Sequence, residues 1–217
     1  MSARQNVAVL ISGRGSNLQA LIDACAEPTF PAQIVLVISN VAGAQGLERA
    51  REAGIATQVI EHARYDRRET FDAAMDASLT KAGTELICLA GFMRILGDGF
   101  VRKWQGRLIN IHPSLLPSFK GMHVHEQAID AGVKISGCTV HYVISELDSG
   151  PAIAQAAVAV RDDDTAESLA RRVLQAEHRL YPSALRLIAE GRVRLDNGHA
   201  VFKDCPSTDG MLQNPAG

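Results

Sequence analysis

Asn110 and His112 stand two residues apart in NIHPSLLP (110–117), which puts an amide and an imidazole on one face of what reads as a strand end. An amide N–H can stabilise an oxygen that is gaining charge, and an imidazole can pass a proton near neutral pH. Pro113 and Pro117 bracket the turn, and a proline biases the residue before it toward an extended backbone, which fixes the direction of His112. Asp148 lies in a second connection, ELDSG (146–150), from which a carboxylate can reach the imidazole. A carboxylate beside such a ring favours its protonated form. The blander explanation of the first two is a core-capping Asn and a satisfied His. No serine or cysteine is recruited as a nucleophile. His123-Val-His125-Glu126 offers metal-ligand types, but a helix starting there turns the two His apart and further ligands are missing, so no metal is expected.

Two more stretches carry binding chemistry. In SGRGSN (12–17), two glycines separated by one residue permit a tight turn, and Ser16-Asn17 lead into a helix whose free N–H groups attract an anion, phosphate above all. The pattern is neither GxxxxGK[ST] nor GxGxxG. The second strand ends in Ser39-Asn40, where a dinucleotide fold would place a ribose-binding acid, so a P-loop and a dehydrogenase are both disfavoured. AGFMRIL (90–96) sets Arg94 among Met93, Ile95 and Leu96, a mixture that suits a flat, partly apolar ligand with an anionic end. The plainer alternative is a helix start with one snorkelling arginine.

These residues need elements to position them. Apolar runs at 6–12, 34–39, 56–61, 85–90 and 107–111 alternate with amphipathic stretches at about 16–26, 44–53, 67–82 and 93–104. Continuous Val/Ile/Leu runs indicate strands covered on both faces. The class expected is therefore α/β: an open, mostly parallel twisted sheet with helices on both faces, Rossmann-like. Ligands in such sheets sit at the carboxyl ends of strands where the order reverses. The loops after the first, fourth and fifth strands are the three stretches above. Beyond residue 132, strands at 134–144 and 152–160, a helix at about 165–189 and a hairpin VRLD-NG-HAVF follow. One domain is expected over 1–203, with a flexible tail at 204–217.

The bulk numbers set outer limits. With 47 % apolar residues in 217, a substantial core can form. A net charge of −2 without a basic run gives nucleic acid no extended footprint, so no nucleic-acid partner is expected. Nothing approaches the roughly 18 apolar residues of a membrane span, and no cleavable leader is seen. Cys25, Cys88, Cys138 and Cys205 lack CxxC spacing and read as reduced thiols of a cytoplasmic protein. An amphipathic helix can pack on its own sheet or a neighbour's, which leaves a homodimer open.

Taken together, VLISGRGSNLQALIDA, SNVAGAQGLERA, LAGFMRILGDGF, RLINIHPSLLPSFKGMHVHEQAI, ISGCTVHYVISELDSGPAI and QAEHRLYPSALRLIAEGRV resemble the phosphoribosylglycinamide formyltransferases of purine biosynthesis, from about residue 6 to 203. NIHPSLLP is shared by the wider formyl-folate family; SGRGSN and EHRLYP are more particular to the glycinamide ribonucleotide enzymes. The resemblance implies transfer of a formyl group from 10-formyltetrahydrofolate, as co-substrate, to the amine of phosphoribosylglycinamide. It implies Asn110, His112 and Asp148 as the catalytic set. It puts the ribonucleotide phosphate on Gly15, Ser16 and Asn17, and the glycinamide end on Leu174, Gln175, Ala176 and above all Glu177. The folate would lie against Met93, Arg94, Ile95 and Leu96, against Asn110, and against Ile144, Ser145, Glu146, Leu147 and Asp148. Arg68 and Arg94 would meet the carboxylates of its tail. Two positions depart from the pattern: Arg14, where the bacterial sequences can carry a smaller polar residue, and Ile144-Ser145, which match loosely. The rivals are a formyltetrahydrofolate hydrolase, which is expected to carry a further N-terminal domain ahead of the first strand, and a sensor of a phosphorylated metabolite, which leaves the trio idle.

Overall fold

The computed structural model describes residues 4–204 together with Gly210 and Asn214. The expected tail over 204–217 lies outside the described residues apart from Asp204, Gly210 and Asn214, and so does Cys205. In chain order the elements are β1 (Gln5–Ile11), α1 (Ser16–Ala26), β2 (Ala32–Ser39), α2 (Gln45–Glu52) and β3 (Thr57–Val59), then a 3₁₀ turn (His62–Arg64). Next come α3 (Arg68–Lys81), β4 (Leu86–Leu89), α4 (Asp98–Lys103), β5 (Leu108–His112), α5 (Val124–Asp130), β6 (Ile135–Tyr142), β7 (Ala152–Ala159) and α6 (Ala166–Ala189). A separate hairpin, β8 (Val193–Asp196) and β9 (His199–Phe202), follows.

The main sheet runs β3-β2-β1-β4-β5-β6-β7. Its first five strands pair in parallel, whereas β6 is antiparallel to β5 and β7 to β6. Side chains alternate along a strand, and β1 shows the consequence. Val7, Val9 and Ile11 enter one apolar layer with Leu18 and Leu21 of α1 and Leu185 of α6. Ala8 and Leu10 enter the opposite layer with Phe71 and Met75 of α3 and Phe100 of α4. All five of these β1 residues are buried, which is why the run reads as uninterrupted hydrophobicity. β1 lies between β2 and β4, so the chain leaves it in opposite directions and opens a crevice at the carboxyl ends of β1 and β4.

Two local features matter for the site. The hairpin turns at Asn197 and Gly198, both at positive φ, as the Asn-Gly pair requires. The helix expected over 93–104 is shorter: α4 starts at Asp98, and 92–97 form a loop. The reason lies in where the loop's N–H groups go. Met93 N–H donates to the Ser12 hydroxyl (2.7 Å) and Gly97 N–H to Asp72 Oδ2 (2.8 Å), side chains of other elements that displace the helical partners.

Candidate active site

The strand β5 ends in Asn110, Ile111 and His112, and its alternation turns Asn110 and His112 to one face. His112 is 5 % exposed. Its Nε2 donates to the carbonyl of Phe119 (2.9 Å), and its Nδ1 faces Asp148 Oδ2 at 3.5 Å. A ring with an oxygen at each nitrogen can donate to both only as the imidazolium. Asp148 returns from the β6–β7 connection, in left-handed backbone (φ 47), with its side chain 8 % exposed. Oδ2 also accepts from Gly121 N–H (2.9 Å), which clasps the segment after β5 to the one after β6. That segment contains a cis Leu116–Pro117 bond.

Sequence reasoning missed His141. Antiparallel pairing sets it opposite Asn110, with Asn110 Nδ2 3.3 Å from His141 Nε2. Its Nδ1 donates to the Tyr142 carbonyl (3.0 Å), so the proton sits there and Nε2 accepts from the amide. Burial pushes the His141 pKa down, in keeping with a neutral ring. Its Nε2 also lies 3.9 Å from Asp148 Oδ1. The available signal was the His in TVHYV, alternate to Thr139 on the stretch read as a strand over 134–144.

The turn after β1 places Gly15 at φ 71, as the N-cap of α1. A Cβ there would come within 2.6 Å of the Gly46 Cα, so glycine is needed for close approach as well as for backbone shape. No side chain caps α1 and no acidic residue occupies its first turn, which leaves the Ser16 end electropositive. Arg49, also missed by sequence reasoning, lies along this turn, its Nε donating to the Arg14 carbonyl (3.0 Å). Asn17 Nδ2 donates to Glu177 Oε2 (2.6 Å), while Asn17 Oδ1 is buried without a protein partner. Glu177 is 5 % exposed, and burial pushes its carboxyl up to about 7. The rest of 174–177 does not join it. Gln175 points to solvent, Leu174 is half-buried, and Ala176 packs against the apolar cluster of Cys138, Val160, Leu169 and Val173, since four successive helical residues cannot share a face.

The loop after β4 presents Met93 (74 % exposed) and Ile95 (59 %), with Arg94 also exposed. Leu96 departs from the expectation of a ligand-facing side chain. It is buried in the layer under the loop with Phe71 and Phe100, because that layer needs a lid. The aliphatic stem of Arg68 runs beside Gly97, and Arg68 and Arg94 both act electrostatically on Asp72. Ile144 is half-buried, whereas Ser145, Glu146, 3.7 Å from Lys120, and Leu147 are exposed. A cleft of about 720 Å³ between α3 and α4 is lined by Arg68, Asp72, Gly97 and Lys103; it adjoins the loop and does not contain the polar trio. Among the described residues, no three His, Cys, Asp or Glu side chains are grouped to hold a metal, and no helix is long and apolar enough to cross a membrane.

Residues 5–185 match the model of a family described as formyl transferase. The chain is 57 % identical over 200 residues to the bovine (Bos taurus) trifunctional purine biosynthetic protein adenosine-3, spanning 92 % of this chain and 20 % of that protein. It thus covers about a fifth of that relative's length. It is 45 % identical over 195 residues to the phosphoribosylglycinamide formyltransferase of Escherichia coli (strain K12), covering 90 % of this chain and 92 % of that one. Among solved structures it is similar to glycinamide ribonucleotide transformylase 1 from Symbiobacterium toebii, with TM-score 0.91, 46 % identity and coverage of 94 % and 96 %.

Proposed function

The chain belongs to the formyl transferase family, and on that premise we propose that it transfers a formyl group from 10-formyltetrahydrofolate to the amine of phosphoribosylglycinamide. The reading places a cytoplasmic enzyme of purine biosynthesis, active on small molecules, within one domain over 1–203. It needs no metal. The observation that carries it is the approach of Asp148 to His112 (3.5 Å) at the same carboxyl edge of the sheet as the open N-terminus of α1.

Each residue then has a task. The α1 N-terminus, through Gly15, Ser16 and Asn17, holds the phosphate. Glu177 orients the glycinamide end, and the amine attacks the formyl carbon uncharged. As that carbon becomes tetrahedral its oxygen gains negative charge, and Asn110 donates its remaining Nδ2 hydrogen to it. His112, held between Asp148 and the Phe119 carbonyl, passes a proton toward the departing folate nitrogen. The balance closes: the amine loses one proton, the folate nitrogen gains one, and His112 returns to its starting state. Met93, Ile95 and the 144–148 segment bear on the pterin, and Arg68 and Arg94 take the tail carboxylates.

The test supplies 10-formyltetrahydrofolate with and without phosphoribosylglycinamide and follows tetrahydrofolate release. Release that depends on the amine is the expected result. Equal release without it would make the protein a hydrolase, and binding of phosphoribosylglycinamide without release would make it a sensor of a phosphorylated metabolite.

A further inference from the structure

Ser39-Asn40 closes β2 at the point where a dinucleotide fold would carry its ribose-binding acid, and the proposed reaction gives it no task. Asn40 is 4 % exposed and turns inward. Its Oδ1 lies 2.6 Å from the Ser12 hydroxyl and its Nδ2 lies 3.1 Å from His62 Nδ1. The direction of the first bond is fixed by chemistry: the amide oxygen can only accept, so the Ser12 hydroxyl proton is committed to Asn40. Ser12 Oγ is left with acceptor lone pairs, and Met93 N–H donates to one of them at 2.7 Å. Ser12 also donates its own N–H to the Gly91 carbonyl (3.1 Å). One residue at the end of β1 therefore ties down two points of the loop after β4.

We propose that Ser12 is a positioning residue for the folate: its hydroxyl, aimed by Asn40, fixes the main chain at Met93 and so presents the Met93–Ile95 surface in register with the turn that holds the ribonucleotide. This rests on the reaction proposed above. An alanine at 12 leaves both Met93 N–H and Asn40 Oδ1 without that partner, and the loop is free to drift. Asn40 acts on Met93 only through Ser12, so the two side chains behave as one unit.

Steady-state kinetics of the full chain test this. Ser12→Ala raises the KM for 10-formyltetrahydrofolate about 10-fold, while kcat and the KM for phosphoribosylglycinamide stay within about 3-fold, the pattern of lost binding and not of lost chemistry. Ser12→Thr, which keeps the hydroxyl, restores the folate KM. Asn40→Ala reproduces the Ser12→Ala effect, and the double variant is no worse than either single one. If Ser12→Ala does not fold, Asn40→Ala and Ser12→Thr decide the matter. A folate KM unchanged in a folded Ser12→Ala or Asn40→Ala variant, equal rises in both KM values, or additive single effects would overturn the proposal while leaving the reaction standing. No amine-dependent release by the wild type would overturn the reaction itself, and this inference with it.

Discussion

One hydrogen of the Asn110 amide is engaged by His141 Nε2 at 3.3 Å, and an amide nitrogen carries two. The second is the one the proposed reaction needs, and His141 supplies the leverage that aims it. Asn110→Ala and His112→Ala are each expected to lose at least ~10²-fold in turnover while remaining folded. Near-normal turnover in purified, folded variants would refute the assigned roles. Glu177 makes a separate prediction at this scale. Burial raises its carboxyl from an ordinary 4.5 to about 7, so the folded state binds this proton more tightly than the unfolded chain does. The stability it contributes is full below about pH 4.5 and disappears as pH rises through about 7. Against the neutral Glu177→Gln variant, the wild type should therefore lose up to about 3 kcal/mol across that window. Stability–pH curves that run parallel for the two proteins would remove the shift.

At the scale of the element, the phosphate site proposed at α1 rests on what the helix lacks. Its first turn carries no side-chain cap and no acidic residue, and the left-handed Gly15 delivers the chain into it against Gly46. A carboxylate at this end interacts favourably with the helix dipole but repels phosphate. Ser16→Asp should accordingly leave the melting temperature equal or slightly higher and weaken phosphoribosylglycinamide binding by at least ~10-fold in calorimetry. Unchanged affinity would take the phosphate away from this helix. The loop after β4 is governed in the opposite way, by side chains of other elements. Ser12 and Asp72 accept the N–H groups of Met93 and Gly97, so a stretch with helical spacing does not become a helix until Asp98.

At the scale of the whole molecule, α6 is the element that ties distant parts together. Tyr181 is fully buried, and its hydroxyl donates to the Leu89 carbonyl (2.9 Å), fastening α6 to the end of β4 beside the crevice. Tyr181→Phe leaves that carbonyl without the bond and should cost about 1–2 kcal/mol in urea unfolding. A midpoint and slope equal to the wild type's would show that the bond contributes nothing. Sequence alone determined most of the elements and their layering, because apolar period, proline and glycine are local signals: the continuous runs of β1 and β4, the Asn197-Gly198 turn, the amphipathic α6. It also marked Asn110 and His112 as neighbours on one strand face. Only the tertiary structure decided that Asn17 meets Glu177 across 160 residues, that His141 backs Asn110, that Leu96 is core while Met93 is exposed, and that Gln175 faces away. The physical reason is that a residue's type and period fix which way it points within its own element. Strand order and register fix what stands opposite it, and these come from long-range pairing that no short stretch encodes.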